Sequence, residues 1–340
     1  MASTTDSYYV LNDGSKIPAI AFGTGTALFN QDCTKAIKFA IKNNFTHLDG
    51  AQVYGNEKWL GKGIAESGKT RDQLYIVTKL HPKLEVPPGK TLAEHVKESL
   101  KISIKTLFPD SKNLDDENPD EHVDLFLVHA PPRPFDPTNE THRELWKAME
   151  AVKTAKLATS IGVSNFTVDD LEAIKPGFDP TSGITLEVVP SVNQIELHPY
   201  VWKTAAPIVE YCLSRGIRPA AYGGLIPLGR ARALAPAPDS DDPGPVEAVL
   251  ATIIIKDGPL TATPAQVLTK WLLQKGAIVV TTTSKSDDTA AKRLDESLKA
   301  PSLLDLTAEQ IKEIDGAAGE EIRRKYMGHI FTEWDNKFKP

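Results

Sequence analysis

Three apolar segments that read as buried strands each end in a side chain that can carry charge or a proton. Asp49 ends the first segment, Lys79 the second and His129 the third, and Tyr54 follows Asp49 by five residues. A buried ammonium is costly unless it is paired or used, so we expect Lys79 to pair with Asp49. Such a group of Asp, Tyr, Lys and His is suited to proton transfer if the strands bring it together.

The elements that must position these residues alternate regularly along the chain. Apolar strands separated by amphipathic helices predict a parallel sheet buried on both faces, and eight such units predict a closed (β/α)8 barrel. The carboxyl ends of its strands would then form the functional face. The predicted strands are 19–24, 45–49, 74–80, 123–129, 160–164, 192–197, 218–222 and 278–283. The predicted helices are 32–42, 57–66, 92–107, 141–155, 168–174, 205–215, 264–274 and 288–298.

A doubly wound dinucleotide fold is the alternative architecture. It should carry a GxGxxG turn after an early strand, and the GTGT of residues 23–26 does not match that pattern. We therefore expect one barrel domain over residues 1–340. It would begin with a hairpin over 1–18, carry an active-site loop over 223–245, and end in a tail over 320–340 that either covers the site or only packs.

Composition excludes several classes of function. The net charge of −6 argues against a nucleic-acid partner, and no apolar run is long enough to cross a membrane. The only two cysteines, Cys33 and Cys212, lie far apart in sequence and indicate a reducing compartment. The N-terminus lacks the apolar core of a signal peptide, so a cytoplasmic location is the expectation. No cluster of His and Cys has the spacing of a metal site, and we predict no metal.

Several specific motifs occur in one order along the chain. They are LDGAQVYGNE at 48–57, VTK at 77–79, LVH at 127–129, IGVSNF at 161–166, NQIELHPY at 193–200 and AY at 221–222. In this order they resemble the aldo-keto reductase family. The Thr-rich residues 281–285 look most like its fungal ketone and α-keto-amide (conjugated polyketone) reductase branch.

The resemblance assigns catalysis to the residues at the strand ends described above, namely Asp49, Tyr54, Lys79 and His129. A tyrosine is a weak acid with an ordinary pKa near ~10, and a neighbouring ammonium makes its phenolate more accessible. Lys79 would supply that charge, and Asp49 would keep Lys79 charged and oriented. Tyr54 would donate a proton to a carbonyl oxygen, which His129 would orient by a hydrogen bond.

The resemblance also implies NADPH as cofactor, held by side chains. Ser164, Asn165 and Gln194 would bind the carboxamide, and Tyr222 would stack on the nicotinamide ring. Lys285 and Arg293 would meet the 2′-phosphate, although they are further apart than usual in the family. Ser297 stands where an adenine-binding Asn is common, and Asp287 and Asp288 add negative charge nearby. The full predicted cofactor set is Gly23, Thr24, Ser164, Asn165, Gln194, Tyr222, Gly223, Leu225, Ser284, Lys285 and Arg293.

Two departures concern the substrate pocket. Gly25 and Ala130 stand where many members of the family carry tryptophan, so we expect a wider and less aromatic pocket. The resemblance therefore predicts an NADPH-dependent carbonyl reductase that favours activated ketones, namely α-keto esters, α-keto amides or diketones. Aldoses and simple aldehydes are the alternative substrates, and a small-molecule carbonyl is the expected partner of a monomer. Two other classes are less consistent with the sequence. The intact proton-donor set argues against a non-catalytic redox-sensing module that binds NADPH, and a metal-dependent barrel hydrolase would need clustered His and Asp ligands that the sequence lacks.

Overall fold

The first described elements form a hairpin that packs on the interior of the sheet, while residues 1–6 of the expected hairpin 1–18 lie outside the described part. The structure, a computed structural model, describes residues 7–136, 138, 140–228, 244–253, 256–257, 260–283 and 285–339. Tyr8–Val10 pairs with Lys16–Pro18 in antiparallel fashion, as the turn at residues 12–14 predicts. Leu11 and Ile17 of this hairpin are buried against residues that point into the centre of the sheet.

Among the described residues, eight parallel strands pair in chain order and close into a barrel. This confirms the predicted (β/α)8 fold. The strands are β1 (Ile20–Gly23), β2 (His47–Asp49), β3 (Tyr75–Leu80), β4 (Val123–Val128), β5 (Ala158–Ser164), β6 (Val192–Glu196), β7 (Arg218–Tyr222) and β8 (Ile278–Thr281). Several end one or two residues before the predicted boundary, so that Thr24, His129 and Leu197 begin the loops that follow.

The helices surround the barrel and agree with the predicted units. They are α1 (Thr34–Lys42), α2 (Glu57–Ala65), α3 (Leu92–Leu107), α4 (Glu140–Thr154), α5 (Val168–Ala173), α6 (Pro199–Ser214), α7 (Pro245–Thr252), α8 (Pro264–Gln274), α9 (Asp288–Lys299), α10 (Ala308–Gly316) and α11 (Gly328–Asn336). Helix α6 begins six residues before the predicted start, because Pro199 occupies its first turn, where a missing N–H costs nothing. The sequence patterns did not predict α7, α10 or α11.

Alternation along the strands separates two hydrophobic regions. On β3, Tyr75 and Val77 point into the barrel, whereas Ile76 and Leu80 face the helices. The same alternation directs Lys79 into the barrel interior, two residues beyond Val77. A lysine at this position therefore lies above an apolar layer, at the carboxyl end of the barrel.

The chain has two irregular regions, residues 109–121 and the expected active-site loop 223–245. Residues 109–121 connect α3 to β4, and most of their side chains are exposed, although Leu114 is buried. Of the expected loop 223–245, the structure describes 223–228 and 244–245, while residues 229–243 lie outside the described part. The described tail packs on the barrel through α11, where the indole of Trp334 donates to the Thr204 carbonyl.

Candidate active site

Lys79 and Asp49 form a buried ion pair at the carboxyl end of neighbouring strands. Lys79 is fully buried, and its Nζ donates to Asp49 Oδ1 at 2.6 Å and to the Gly50 carbonyl at 2.8 Å. The same Nζ lies 3.4 Å from the Tyr54 hydroxyl. Gln194 donates to the second oxygen, Asp49 Oδ2, at 2.8 Å. The carboxylate therefore accepts from two sides, which fixes both its own position and that of the ammonium.

Tyr54 is carried by a short turn that follows β2. A 3-10 turn spans Gln52–Tyr54, and Gly55 ends it with φ of 64°, a conformation that favours glycine. The Gln52 amide holds this turn in place, since its Nε2 donates to Ser103 Oγ and its Oε1 accepts from the His81 backbone N–H. The position of the phenol thus depends on contacts with α3 and with the loop after β3.

Gly25 leaves the space that the Tyr54 ring occupies. A Cβ at residue 25 would lie 2.6 Å from Tyr54 Cζ and 2.8 Å from the hydroxyl oxygen, far inside van der Waals contact. On another side the Phe29 ring meets the Tyr54 ring edge-on, with centroids 6.1 Å apart. The glycine therefore does more than omit a bulky side chain, because any side chain here would displace the phenol.

The surroundings set distinct protonation preferences for the group. Burial raises the pKa of Tyr54 above its ordinary value, and the Lys79 charge acts in the opposite direction. Burial alone would lower the pKa of Lys79, but the Asp49 carboxylate and Tyr54 hold it above its ordinary value. Tyr54 is therefore a protonated phenol at neutral pH, next to an ammonium that would stabilise its conjugate base.

His129 completes the group from the end of β4. Its ring meets the Tyr54 ring edge-on, with centroids 5.5 Å apart. Burial, together with the nearby Lys79 charge, lowers the pKa of His129 to about 3. The imidazole is consequently neutral at pH 7, so it can offer a hydrogen bond to a carbonyl oxygen without competing as an acid.

These residues open into a cavity of about 1120 Å³. Asp49, Tyr54 and His129 line it, as do Gly23 and Gly25 of the predicted set. A further group of predicted residues lines the same cavity at the ends of β5, β6 and β7, namely Ser164, Asn165, Gln194, Tyr222, Gly223 and Leu225. The structure thus brings together most of the residues predicted from the sequence.

Hydrogen bonds among the lining residues determine which polar atoms at this end of the cavity can still bind a ligand. Tyr222 donates to Asn165 Oδ1 at 2.7 Å, and Asn165 Nδ2 donates to the His129 carbonyl at 2.8 Å. The Ser164 hydroxyl donates to the Gln194 carbonyl at 2.7 Å. With Gln194 Nε2 used on Asp49, its Oε1 has no hydrogen-bond partner among the described residues. The remaining capacity is therefore mainly for accepting hydrogen bonds.

The opposite end of the cavity lies beside α9. Arg293, Glu296 and Ser297 line it, whereas Lys285 is exposed and is not among the described lining residues. The start of α9 is capped by its own sequence, since Asp287 accepts from the Ala290 N–H at 2.8 Å. Ser284 lies outside the described residues. Of the two predicted phosphate-binding cations, Arg293 is thus the one that faces the cavity.

Two further predicted residues have other surroundings than expected. Thr24 is fully buried and does not line the cavity, and its hydroxyl donates to the Asp49 carbonyl at 3.2 Å. Ala130 packs against the hydrophobic region between barrel and helices, and it is also absent from the described cavity lining. The chain bends at His129 and Ala130, and of the two only His129 lines the cavity. The assignment of Thr24 to the cofactor and of Ala130 to the substrate pocket stays a prediction, because neither residue lines the cavity.

Several residues that shape the cavity are not in the predicted site, although two of them belong to the tail 320–340, which the sequence leaves either covering the site or only packing. Phe29, Tyr326 and Met327 line it, although they are distant from one another in sequence. Asn56 is fully buried and donates to the carbonyls of Thr24 and Leu28, which holds the loop that carries Gly25. Asn56 belongs to the motif at 48–57, so the sequence marks the residue itself. The loop that it holds, residues 24–28, could not be predicted from the motif.

Within the described ranges, no group of three or more His, Cys, Asp or Glu side chains could hold a metal ion. In the same part of the chain, no helix is both long and apolar enough to span a membrane.

A closed barrel with Asp, Tyr, Lys and His at its carboxyl face is a specific combination of fold and site. Comparison with known proteins identifies the family to which it belongs. The model of the Aldo/keto reductase family matches residues 19–318. The chain therefore belongs to the aldo/keto reductase family, as its motifs predict.

The particular relatives extend over nearly the whole chain. An NAD/NADP-dependent indole-3-acetaldehyde reductase from Schizosaccharomyces pombe is 35% identical, over 93% of this chain and 97% of the relative. An NADPH-dependent alpha-keto amide reductase from Saccharomyces cerevisiae is 29% identical, over 96% of each protein. Among solved structures, an aldo-keto reductase from Bombyx mori in complex with NADP is similar with a TM-score of 0.70. It is 28% identical, and the match covers 98% of this chain and 97% of that one.

Proposed function

We propose that this protein is an NADPH-dependent carbonyl reductase in which Tyr54 is the proton donor and activated ketones are the favoured substrates. The observation that carries the proposal is the buried Lys79 ammonium, whose Nζ lies 2.6 Å from Asp49 and 3.4 Å from the Tyr54 hydroxyl. Membership of the aldo/keto reductase family supports the same reaction class.

The chain's own residues would handle the proton and the orientation of the substrate. When bound, the reduced nicotinamide supplies a hydride to the carbonyl carbon. His129, neutral at pH 7, donates a hydrogen bond to the carbonyl oxygen and orients it. As that oxygen gains negative charge, it takes the Tyr54 proton, and the Lys79 ammonium stabilises the phenolate left behind. Asp49 keeps Lys79 charged and in place throughout.

The polar atoms at the ends of β5 and β6 fit a nicotinamide carboxamide. Its NH₂ group needs acceptors, and Gln194 Oε1 together with Asn165 Oδ1 supplies them. Arg293 at the far end offers a charged group to a 2′-phosphate, which supports NADPH. The Saccharomyces cerevisiae relative is NADPH-dependent and the Schizosaccharomyces pombe relative is NAD/NADP-dependent. Because Arg293 lines the cavity and Lys285 does not, Arg293 is proposed to set the cofactor preference.

Substrate choice rests on the shape of the cavity around Tyr54. Gly25 leaves room for the Tyr54 ring at the wall of the cavity, and Phe29, Tyr326 and Met327 supply apolar and aromatic surface. This surface suits α-keto amides, α-keto esters and diketones, and the alpha-keto amide reductase supports that choice. Simple aldehydes and aldoses are the alternative substrates. The indole-3-acetaldehyde reductase supports an aldehyde as substrate, although a bulky one.

The test is NADPH oxidation against a panel of carbonyls, with the Tyr54→Phe variant as the matched control. We expect turnover of α-keto amides and diketones with higher kcat/KM than of simple aldehydes, and loss of turnover in the Phe variant. Higher kcat/KM for simple aldehydes would instead support the alternative substrate class. NADPH binding without turnover of any carbonyl would favour the redox-sensing module, and activity that a chelator abolishes would favour a metal enzyme.

A further inference from the structure

Glu196 connects the last residue of β6 to the C-terminal segment, defined here as residues 320–339. Its side chain is fully buried. Oε1 accepts from the backbone N–H of Lys325 at 2.8 Å, and Oε2 accepts from that of Tyr326 at 2.7 Å. His198 Nε2 lies 3.0 Å from Oε1 and completes the surroundings of the carboxylate. A single buried side chain therefore holds two consecutive peptide groups that lie about 130 residues further along the chain.

The residues that Glu196 holds are those at which the C-terminal segment reaches the cavity. Tyr326 and Met327 both line it, and the Tyr326 ring meets the Tyr222 ring edge-on with centroids 6.0 Å apart. Glu196 is paired in register with Tyr222 and lies two residues beyond Gln194 on the same strand. The Glu196 carboxylate thus connects β6, whose Gln194 donates to Asp49, with the part of the C-terminal segment that lines the cavity.

Contacts with α6 hold the residues on either side of this point. Arg324 makes a bidentate contact with Asp335 at 2.8 and 2.9 Å, and its Nη2 donates to Thr204 of α6 at 3.2 Å. The Arg323 N–H donates to the Tyr200 carbonyl at 3.1 Å, and at the surface Lys203 pairs with Glu320.

Glu196 acts at the next two residues of the segment. It accepts from the backbone N–H groups of Lys325 and Tyr326, and Tyr326 lines the cavity. The carboxylate therefore contributes directly to the position of the cavity wall.

We propose that Glu196 is a positioning residue that sets the substrate side of the cavity by fixing Tyr326 and Met327, and so determines KM for bulky carbonyls. This inference rests on the proposed carbonyl reductase function. A carboxylate is suited to the role because it only accepts hydrogen bonds and can face two N–H groups at once. An amide at this position offers one accepting atom and turns a donor toward the second N–H, which leaves that N–H unpaired.

The experiment compares Glu196→Gln with Glu320→Gln, which removes the exposed contact of the same segment with α6. In Glu196→Gln we expect KM for a bulky diketone to rise about ten-fold, with KM for a small aldehyde, kcat and the Kd of NADPH within about two-fold of wild type. Limited trypsin digestion should release the fragment that begins at Tyr326 faster than in wild type. Glu320→Gln should resemble wild type in every measurement.

A double-mutant cycle with Tyr326→Ala tests whether Glu196 acts through that side chain. The two effects on KM should be clearly less than additive, because each change removes the same wall. If Glu196→Gln yields no folded protein, Lys325→Pro removes one of the two donors while leaving Glu196 intact, and the same KM pattern is expected.

Several outcomes would overturn the proposal. They are an equal KM change for large and small carbonyls, additive effects with Tyr326→Ala, or a wild-type cleavage rate at Lys325 in Glu196→Gln. If the wild-type protein reduces no carbonyl, the proposed function fails, and the trypsin measurement still decides separately whether Glu196 holds the segment.

Discussion

Gly25→Ala adds one methyl group at the point where the chain passes closest to the phenol of Tyr54. The new Cβ would lie 2.6 Å from Tyr54 Cζ, 2.8 Å from the hydroxyl oxygen and 2.9 Å from Cε2. Ordinary carbon–carbon contact begins at about 3.5 Å. The ring must therefore retreat by roughly 1 Å, since the backbone at residue 25 is held by the buried Asn56.

A displacement of that size should affect chemistry more than binding or stability. A misplacement of about 1 Å can cost ~10²-fold in rate, so we expect kcat for a favoured ketone to fall by about that factor. The Kd of NADPH should change little. The midpoint of thermal unfolding should also change little, because replacing glycine restricts the unfolded chain and offsets part of the strain.

Single-turnover reduction at saturating NADPH is the assay, because it isolates the step in which Tyr54 is proposed to act. The matched control is Gly316→Ala, in which the added methyl meets no heavy atom within 4 Å. This control should keep wild-type kcat. If Gly25→Ala retains kcat within two- to three-fold and a crystal structure shows Tyr54 unmoved, the proposed role of Gly25 is wrong. A large fall in the unfolding midpoint would mean that the strain is relieved by the backbone instead.

Three other predictions address the proton donor, the cofactor and the response to acid. Tyr54→Phe should slow hydride transfer at least ~10²-fold without weakening NADPH binding, and Lys79→Met should do so at least as strongly, measured by single-turnover kinetics. Arg293→Ala should raise the Kd of NADPH about ten-fold and leave that of NADH nearly unchanged, whereas Lys285→Ala should change neither; equal weakening of both cofactors would contradict this role. The pKa of His129 is about 3 in the folded protein and near ~6.5 when unfolded, so its contribution to stability is complete above pH ~6.5 and declines as the pH falls toward 3. Urea unfolding at pH 7.5 and pH 5 should show about 2 kcal/mol of loss from this residue, absent in His129→Gln; an equal loss in both proteins would refute the assignment.

Local patterns determined the barrel and the end of it that carries the candidate site. Alternating apolar strands and helices are a property of short segments, so the eight units could be predicted without tertiary information. Because parallel strands of a barrel place their carboxyl ends on one face, residues that end different strands, such as Asp49 and Lys79, must come close. The predicted closed barrel is confirmed, and the site follows from where its strands end. The sequence also determined the family, since its motifs occur in one order.

Tertiary structure alone decided what surrounds those residues. The contact between Gly25 and Tyr54, the internal use of the Thr24 hydroxyl and the exposure of Lys285 all depend on how loops fold over the barrel end. Loop conformation has no period in the sequence from which it could be predicted. Glu196 is the clearest case, because its strand position is evident from local pattern, whereas its partners at residues 325 and 326 are not. Only the path of the C-terminal segment brings those peptide groups within hydrogen-bond distance of the carboxylate.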